Sequence, residues 1–332
     1  MFGTRGIIAA AILLAGVGAV SAEMAEVRIA RQPSLGHLPL MIMEDQKLVE
    51  KEAAARGIPD LKVGYSTLAG GAAMNDALLS GAIQFAAGGV PPLVLLWSKT
   101  EGTKMQVKGV AAMNSMPLLM NTTNPNIKSL RDFTDADKIA LPAVKVSVQA
   151  MFLQMAAEKE LGEAHRNDLD KLTVTLSHPD GMAAMFAGQV TAHFTAAPIQ
   201  ELELKRPGVH TVLNTFDILG GPSTFNVIWA SSSFVEQNPK IYEAFTAALE
   251  KAIGIINADK LAAAATYVRL TKDASDLALI QQILTDPQVT FTTTPQSIQQ
   301  YIDFMARTKA IRRRADSWKE LFFANMHDKP GN

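Results

Sequence analysis

The chain has no cysteine among its 332 residues. Disulfides, thiolate metal sites, cysteine nucleophiles and a lipid-anchored cysteine are therefore excluded. It has little net charge: 31 Lys and Arg against 32 Asp and Glu leave −1. Nothing in that balance draws it to nucleic acid or to an anionic membrane surface. Past the N-terminus it lacks any uninterrupted apolar run long enough to cross a bilayer. Core material is abundant: 48% of the residues are hydrophobic. The length exceeds one typical core, so two domains are expected.

The N-terminus differs from the rest. Arg5 is the lone charge before the apolar stretch from Gly6 to Val20, and Val20-Ser21-Ala22 offers the small residues that signal peptidase needs. The pattern is that of a secretory signal over residues 1–22, cut after Ala22, and not of a membrane anchor. Loss of Arg5 makes the mature chain one unit more negative. Export without a lipidated cysteine points to a soluble periplasmic protein.

The mature chain is organised around the stretch from Gly70 to Pro92. Ala72 to Leu79 holds good helix formers, Gly81 stands where a left-handed cap is wanted, and Ala82 to Ala86 is a short apolar strand. Gly88-Gly89 and Pro91-Pro92 then end it in a loop that a ligand can approach closely. The grammar recurs about a hundred residues later. Gly181 to Ala187 predicts a helix, Gly188 the cap, Gln189 to Phe194 a strand, and Thr195 to Pro198 a loop. Such units are common in α/β proteins. Two of them suggest two similar lobes, each offering a loop at a strand's C-terminal end, where open α/β sheets bind ligands.

Around these units the chain alternates. Strands are expected at 27–30, 61–65, 107–112, 138–142, 172–176, 209–213 and 225–230. Helices are expected at 38–49, from Leu93, and at 127–138, 148–161 and 199–205. Past Asn238 the chain is mainly helical: 239–257, 260–270, 275–284 and 295–310. Gly220-Gly221-Pro222 is a candidate hinge. Crossings near 119 and 220 give a discontinuous first lobe, 23–119 with 221–332, and an inserted second, 120–220.

Several pieces in this order resemble one family. They are Gly36-His37-Leu38-Pro39-Leu40, the Gly70-to-Pro91 unit, Asp132 to Gln149, Gly188 to Phe194, and Ser317 to Phe323. Together they span nearly all the mature chain and resemble the substrate-binding proteins of nitrate/sulfonate/taurine-type ABC importers. The resemblance implies an α/β, type II periplasmic-binding-protein fold, with two lobes on a two-crossing hinge closing on a small solute. It implies a monomer that delivers its solute to an inner-membrane ABC permease, with no bond chemistry. Sulfonate, carboxylate, a nitrate-like anion or a related compound are all open. Two alternatives use the same scaffold: an enzyme, pyrimidine-synthase-like or a lyase, and a ligand sensor for a signalling receptor. The synthases carry a cysteine-rich iron-binding motif that this chain lacks, and no Ser-His-Asp order or paired-carboxylate spacing stands out.

Candidate ligand-binding residues are found at helix N-termini and in strand-end loops. Gly70 and Gly71 open one helix, and Ser147, Val148 and Gln149 open another; free N–H groups there suit an oxyanion. Ser147 also has a capping role open to it. Gly89, Val90 and Pro91 lie after the first repeat strand, and Thr195 after the second. Ser34, Gly36 and His37 sit in the loop after the first strand, and His178 in the loop before Gly181. A lone histidine is more often a satisfied structural group than a ligand contact. His193 lies within a strand, where core and surface are equally open. A metal site needs these histidines to converge with carboxylates, and their spacing gives no sign of that, so no metal or cofactor is expected. Met113, Met116, Met120, Met151 and Met155 are read as core filler, Lys145 as a surface charge, and Arg312-Arg313-Arg314 as a solvated basic patch.

Overall fold

A computed structural model describes residues 23–272 and 276–332; the expected signal peptide lies outside them. In chain order, β1 (Glu26–Arg31) leads through a 3₁₀ turn (Leu35–His37) into α1 (Leu38–Asp45) and α2 (Leu48–Ala55). Then come β2 (Lys62–Thr67), α3 (Gly71–Leu79), β3 (Phe85–Gly89), α4 (Val90–Thr100) and β4 (Val107–Ser115). The chain crosses to a second sheet at β5 (Leu119–Thr122). It continues through β6 (Ile139–Leu141), α5 (Val148–Leu161), β7 (Thr173–Thr175) and α6 (His178–Phe186). That part ends with β8 (Ala192–Phe194), α7 (Ile199–Leu204), β9 (His210–Asn214) and α8 (Thr215–Leu219). β10 (Thr224–Ser231) returns to the first sheet. After it come α9 (Ser232–Gln237), α10 (Pro239–Ala258), α11 (Lys260–Thr271), α12 (Leu277–Thr285), the short β11 (Thr290–Phe291) and α13 (Ile298–Arg307).

The two sheets repeat one plan. The six-stranded sheet runs β11-β4-β10-β3-β1-β2, and the five-stranded sheet runs β7-β6-β8-β5-β9. In the first, β1 lies parallel between β2 and β3, and β10 is antiparallel beside β3. In the second, β6 lies parallel between β7 and β8, and β5 is antiparallel beside β8. Thus α3–Gly81–β3 and α6–Gly188–β8 hold equivalent places. Gly81 and Gly188 have φ of 76° and 71°, the left-handed cap that both sequences predict.

Five expectations need correction. The second repeat helix begins at His178, capped by Ser177, and not at Gly181, so His178 lies in its first turn and not in a loop. Strands β3 and β8 start three residues later than expected. Ile83 N–H bonds back to Ala77 O and Gln189 N–H to Ala184 O, so the residues after each glycine finish the helix cap first. Residues 127–138 form no α-helix, only a 3₁₀ turn at Leu130–Asp132. There Asp132 accepts from the backbone N–H groups of Lys128 and Ser129, and Asp137 from that of Thr134; such local bonds compete with a helix ladder. The helix expected over 38–49 breaks at Lys47, which is left-handed. The Pro91-Pro92 loop is instead the first turn of α4, where proline's missing N–H costs nothing.

The six-stranded half holds the larger core. Phe85 stacks on Phe245 of α10 at 3.8 Å and meets Phe234 edge-on. Among the described residues, ion pairs join the halves at two places, Arg307 to Glu158 at 2.8 Å and Lys205 to Asp276 at 3.6 Å. Met113, Met116, Met120 and Met151 are buried in the core, and Met155 packs against it. The Arg312-to-Arg314 patch is largely neutralised: Arg313 pairs with Glu101 and Glu320, and Arg314 with Asp303 and Asp316.

Candidate functional site

The two halves meet across a cleft walled by strand ends and helix starts. From the six-stranded side come Gln32, Gly71, Gly89, Pro92 and Phe225. From the other come Pro142, Ser147, Val148, Gln149 and His178. The contact is close. Leu35 N–H donates across it to Ala197 O at 2.9 Å. A Cβ on Gly89 would stand 3.0 Å from Val148 Cβ, and one on Gly70 3.1 Å from Pro142 O. The enclosed space is about 10 Å³, room for about one water. A solute of several atoms therefore gets in only when the halves part.

Helix ends set the electrostatics. α3 starts on Gly70 with no side-chain cap, so its first-turn N–H groups face outward undiminished. At α5 the Ser147 hydroxyl accepts from Ala150 N–H at 3.1 Å, which leaves the amides of Val148 and Gln149 ahead of it. Ser147 is thus a helix cap first. Ser147→Ala should cost about 1 kcal/mol of folding stability, measurable as a shift in urea midpoint; no shift would mean the cap is dispensable. The other two helix ends are weaker donors. Pro91 and Pro92 carry no N–H, and α6 is closed by Ser177 and Asp180, bonded to each other at 2.5 Å.

Among the described residues no Asp, Glu, Lys or Arg lines the cavity. Its side chains are neutral donors and acceptors. Gln149 Nε2 is buried without a partner, as are Ser34 Oγ and Asn226 Nδ2 outside the lining. His178 Nδ1 and the Thr195 hydroxyl share a hydrogen bond at 2.7 Å. Burial, and then His193, push the His178 pKa down to about 3. His37 is fully buried with neither ring nitrogen partnered. Burial, Arg31 and His178 lower it to about 3 as well. His193 meets Glu203 at 2.6 Å with both side chains fully buried. The distance is that of an ion pair, yet burial pushes His193 down to about 3 and Glu203 up to about 8. We therefore assign a neutral pair, the Glu203 hydroxyl donating to His193 Nδ1 while Asn121 Nδ2 donates to the other oxygen at 2.9 Å. Among the described residues no group of three or more His, Asp or Glu is arranged to hold a metal ion.

The remaining sequence candidates fall around this centre. Gly36 lies beneath the turn: its O accepts from Asn114 Nδ2 at 2.6 Å, and a Cβ would strike Asn226. Val90 is buried in the first turn of α4. Pro91 turns to a separate cavity with Leu95, Val146 and Met151. Sequence reasoning missed Gln32, Pro92, Pro142 and Phe225. Gln32 was within reach as the first residue after β1. Phe225 was not, because β10 returns from a distant part of the chain. Gln32 also lines an outer groove of about 700 Å³ between Arg31, Glu44 and Thr67 on one side and Pro179, Met182 and Pro198 on the other.

Residues 21–271 match the NMT1-like family. The chain belongs to that family. No curated protein matches it. Solved structures similar to this NMT1-like chain include the alkanesulfonate-binding protein SsuA from Xanthomonas axonopodis pv. citri, bound to MOPS. The two share 18% identity with a TM-score of 0.68, over 89% of this chain and 97% of that one. The periplasmic nitrate-binding protein NrtA from Synechocystis PCC 6803 aligns at 14% identity and TM-score 0.68, over 90% and 85%. A Candida albicans protein described as having the generic periplasmic binding protein fold aligns at 13% identity and TM-score 0.67, over 90% and 95%. The NMT1-like chain has that periplasmic-binding-protein fold, its two sheets forming the two halves. Among its described residues no helix is long and apolar enough to cross a membrane.

Proposed function

We propose that this protein is the solute-binding component of an importer. It captures a small oxyanion-bearing solute between its two lobes and presents it to a membrane permease. One observation carries the reading: α3 of one half and α5 of the other aim their N-termini into a cleft whose lining holds no charged side chain. Backbone donors and positive helix ends suit a single oxyanion, such as sulfonate, carboxylate or nitrate. The partnerless amide of Gln149, which lines the cleft, adds a donor of the same sign. His178, held neutral by burial, fits hydrogen bonding to a solute better than neutralising a multiply charged one. The similarity to sulfonate- and nitrate-binding folds supports this class.

The lobes follow the two sheets, with crossings at Met116–Leu118 and Gly220–Ser223. The outer groove at Gln32 is the approach path. A solute touching both lobes binds the closed arrangement better than the open one, and that difference shifts the population. In a screen of residues 23–332 against sulfonates, aromatic acids, nitrate and pyrimidines, one class should raise the melting temperature. At a hundredfold excess over Kd the gain is about 2.7 kcal/mol. X-ray scattering should show compaction with the same compound. A saturating hit that leaves the scattering curve unchanged would sink the closure; turnover of the compound would favour an enzyme on this fold.

A further inference from the structure

The first crossing between the sheets walls a cavity outside the cleft. Met116 and Pro117 form one side of a space of about 270 Å³. α7 supplies Glu201 and Leu204, and its C-cap Lys205, from one half, and α12 supplies Leu279 and Ile283 from the other. Just over half of the lining residues are apolar, and the polar ones are Gln200, Glu201, Lys205, Gln282 and Asp286. Glu201 Oε1 accepts from Gln200 Nε2 at 2.7 Å. Glu201 Oε2 is buried and has no partner. Asp286 stands close enough to oppose ionisation of Glu201, and one of its oxygens accepts from Gln288 N–H. The cation on the wall, Lys205, is engaged by Asp276 across the seam. An apolar pocket with an unanswered carboxylate oxygen is complemented by a positively charged donor on an apolar body.

We propose that this cavity is a second ligand site, taking a short alkylammonium compound with its charged head on Glu201 and its chain against Leu204, Leu279 and Ile283. The volume lies just below the usual range for drug-sized ligands, so a short amine suits it and a bulky one does not. Gln200 connects the site to the crossing. Its Nε2 donates to Pro117 O at 3.2 Å as well as to Glu201, and its Oε1 accepts from Leu119 N–H at 3.0 Å. A ligand that holds Glu201 therefore bears on the segment that joins the halves. Because α7 and α12 belong to opposite halves, an occupant touching both favours the closed arrangement. Amine and cleft solute then raise each other's affinity by one common factor.

The probe is n-butylammonium, and the reporter is the Met116 methyl group in protein labelled with ¹³C-methyl methionine. Its signal should shift and saturate at millimolar probe, the range open to so small a ligand. 1-Butanol and butyrate should bind about tenfold more weakly or worse, the scale of one charge-assisted hydrogen bond. Glu201→Gln should show the same loss for n-butylammonium. Binding should tighten from pH 6 to pH 8, since burial pushes Glu201 up to about 7. Glu203, Asp286 and the paired Lys205 are the other charges facing it. Equal binding of 1-butanol overturns the charge assignment, and no saturable shift by about 50 mM overturns the site. If Glu201→Gln fails to fold, Leu204→Trp at the half-exposed rim takes its place. It should abolish the response, and an unchanged response refutes the site. None of these measurements requires the cleft solute, so failure here leaves the proposed function standing.

Discussion

Gly89→Leu should weaken solute binding about tenfold to a hundredfold while leaving the empty protein folded. Gly89 has an ordinary φ of −64°, so a side chain there brings no backbone strain. The obstacle is across the cleft, where even a Cβ stands 3.0 Å from Val148 Cβ and 3.1 Å from its Cγ1. A leucine adds three further carbons at that contact. Overpacking of this kind costs about 1–3 kcal/mol, and it falls on the closed arrangement, because parting the halves relieves it. The competent population drops, and apparent affinity drops with it. Calorimetric titration with the solute found by the screen should show the loss, with a melting temperature near wild type when no solute is present. Unchanged affinity would mean that the halves do not close on Gly89. Gly71→Ala is the contrasting case. Its Cβ would lie 2.2 Å from Pro92 Cγ in the same half, so parting the halves cannot relieve it, and stability falls with or without solute.

The parts of the site that were legible in the sequence are those where a local signal governs. Ser147 caps and Gly162 ends a helix that spans the expected 148–161. The glycine that caps the helix of each repeat unit is left-handed in both copies. The order of strands in each sheet is one step further, since nothing local states that β10 returns between β3 and β4. Phe225 reaches the cleft by that return and carried no signal of it. Residues 127–138 failed for another reason. Their composition permits a helix, but Asp132 and Asp137 bond to backbone N–H groups a few residues away and hold the segment in turns. The histidines fall between these cases. The positions of His37 and His193 were readable, whereas His178 opens α6 instead of lying in the expected loop before Gly181; that all three lie buried, His37 within electrostatic reach of His178 and His178 of His193, follows from the tertiary fold alone.

Those buried histidines should make the protein most stable near pH 6.5, with a loss on the acid side that steepens below about pH 4.5. His37, His178 and His193 each drop from 6.5 to about 3 on folding. Folding thus favours their neutral forms, and their stabilisation is present above pH 6.5 and lost as pH falls. Glu201 and Glu203 move the opposite way, from 4.5 to about 7 and about 8. Their stabilisation is complete below pH 4.5 and lost as pH rises through 7 and 8. Between pH 6.5 and 4.5 the unfolded chain binds three protons at these histidines while the folded chain holds two on the glutamates. The net slope is about 1.4 kcal/mol per pH unit. Below pH 4.5 the unfolded glutamates also take up protons, and the slope approaches about 4 kcal/mol per unit. The balance is the same whether His193 and Glu203 form a neutral pair or an ion pair, because both forms carry the same protons. Urea denaturation from pH 4 to 8 should trace this asymmetric peak. His37→Leu removes a partnerless imidazole and should reduce the acid slope by about one proton. A flat profile between pH 6.5 and 4, or an unchanged slope in that variant, would show that the histidines are not held neutral beneath the cleft.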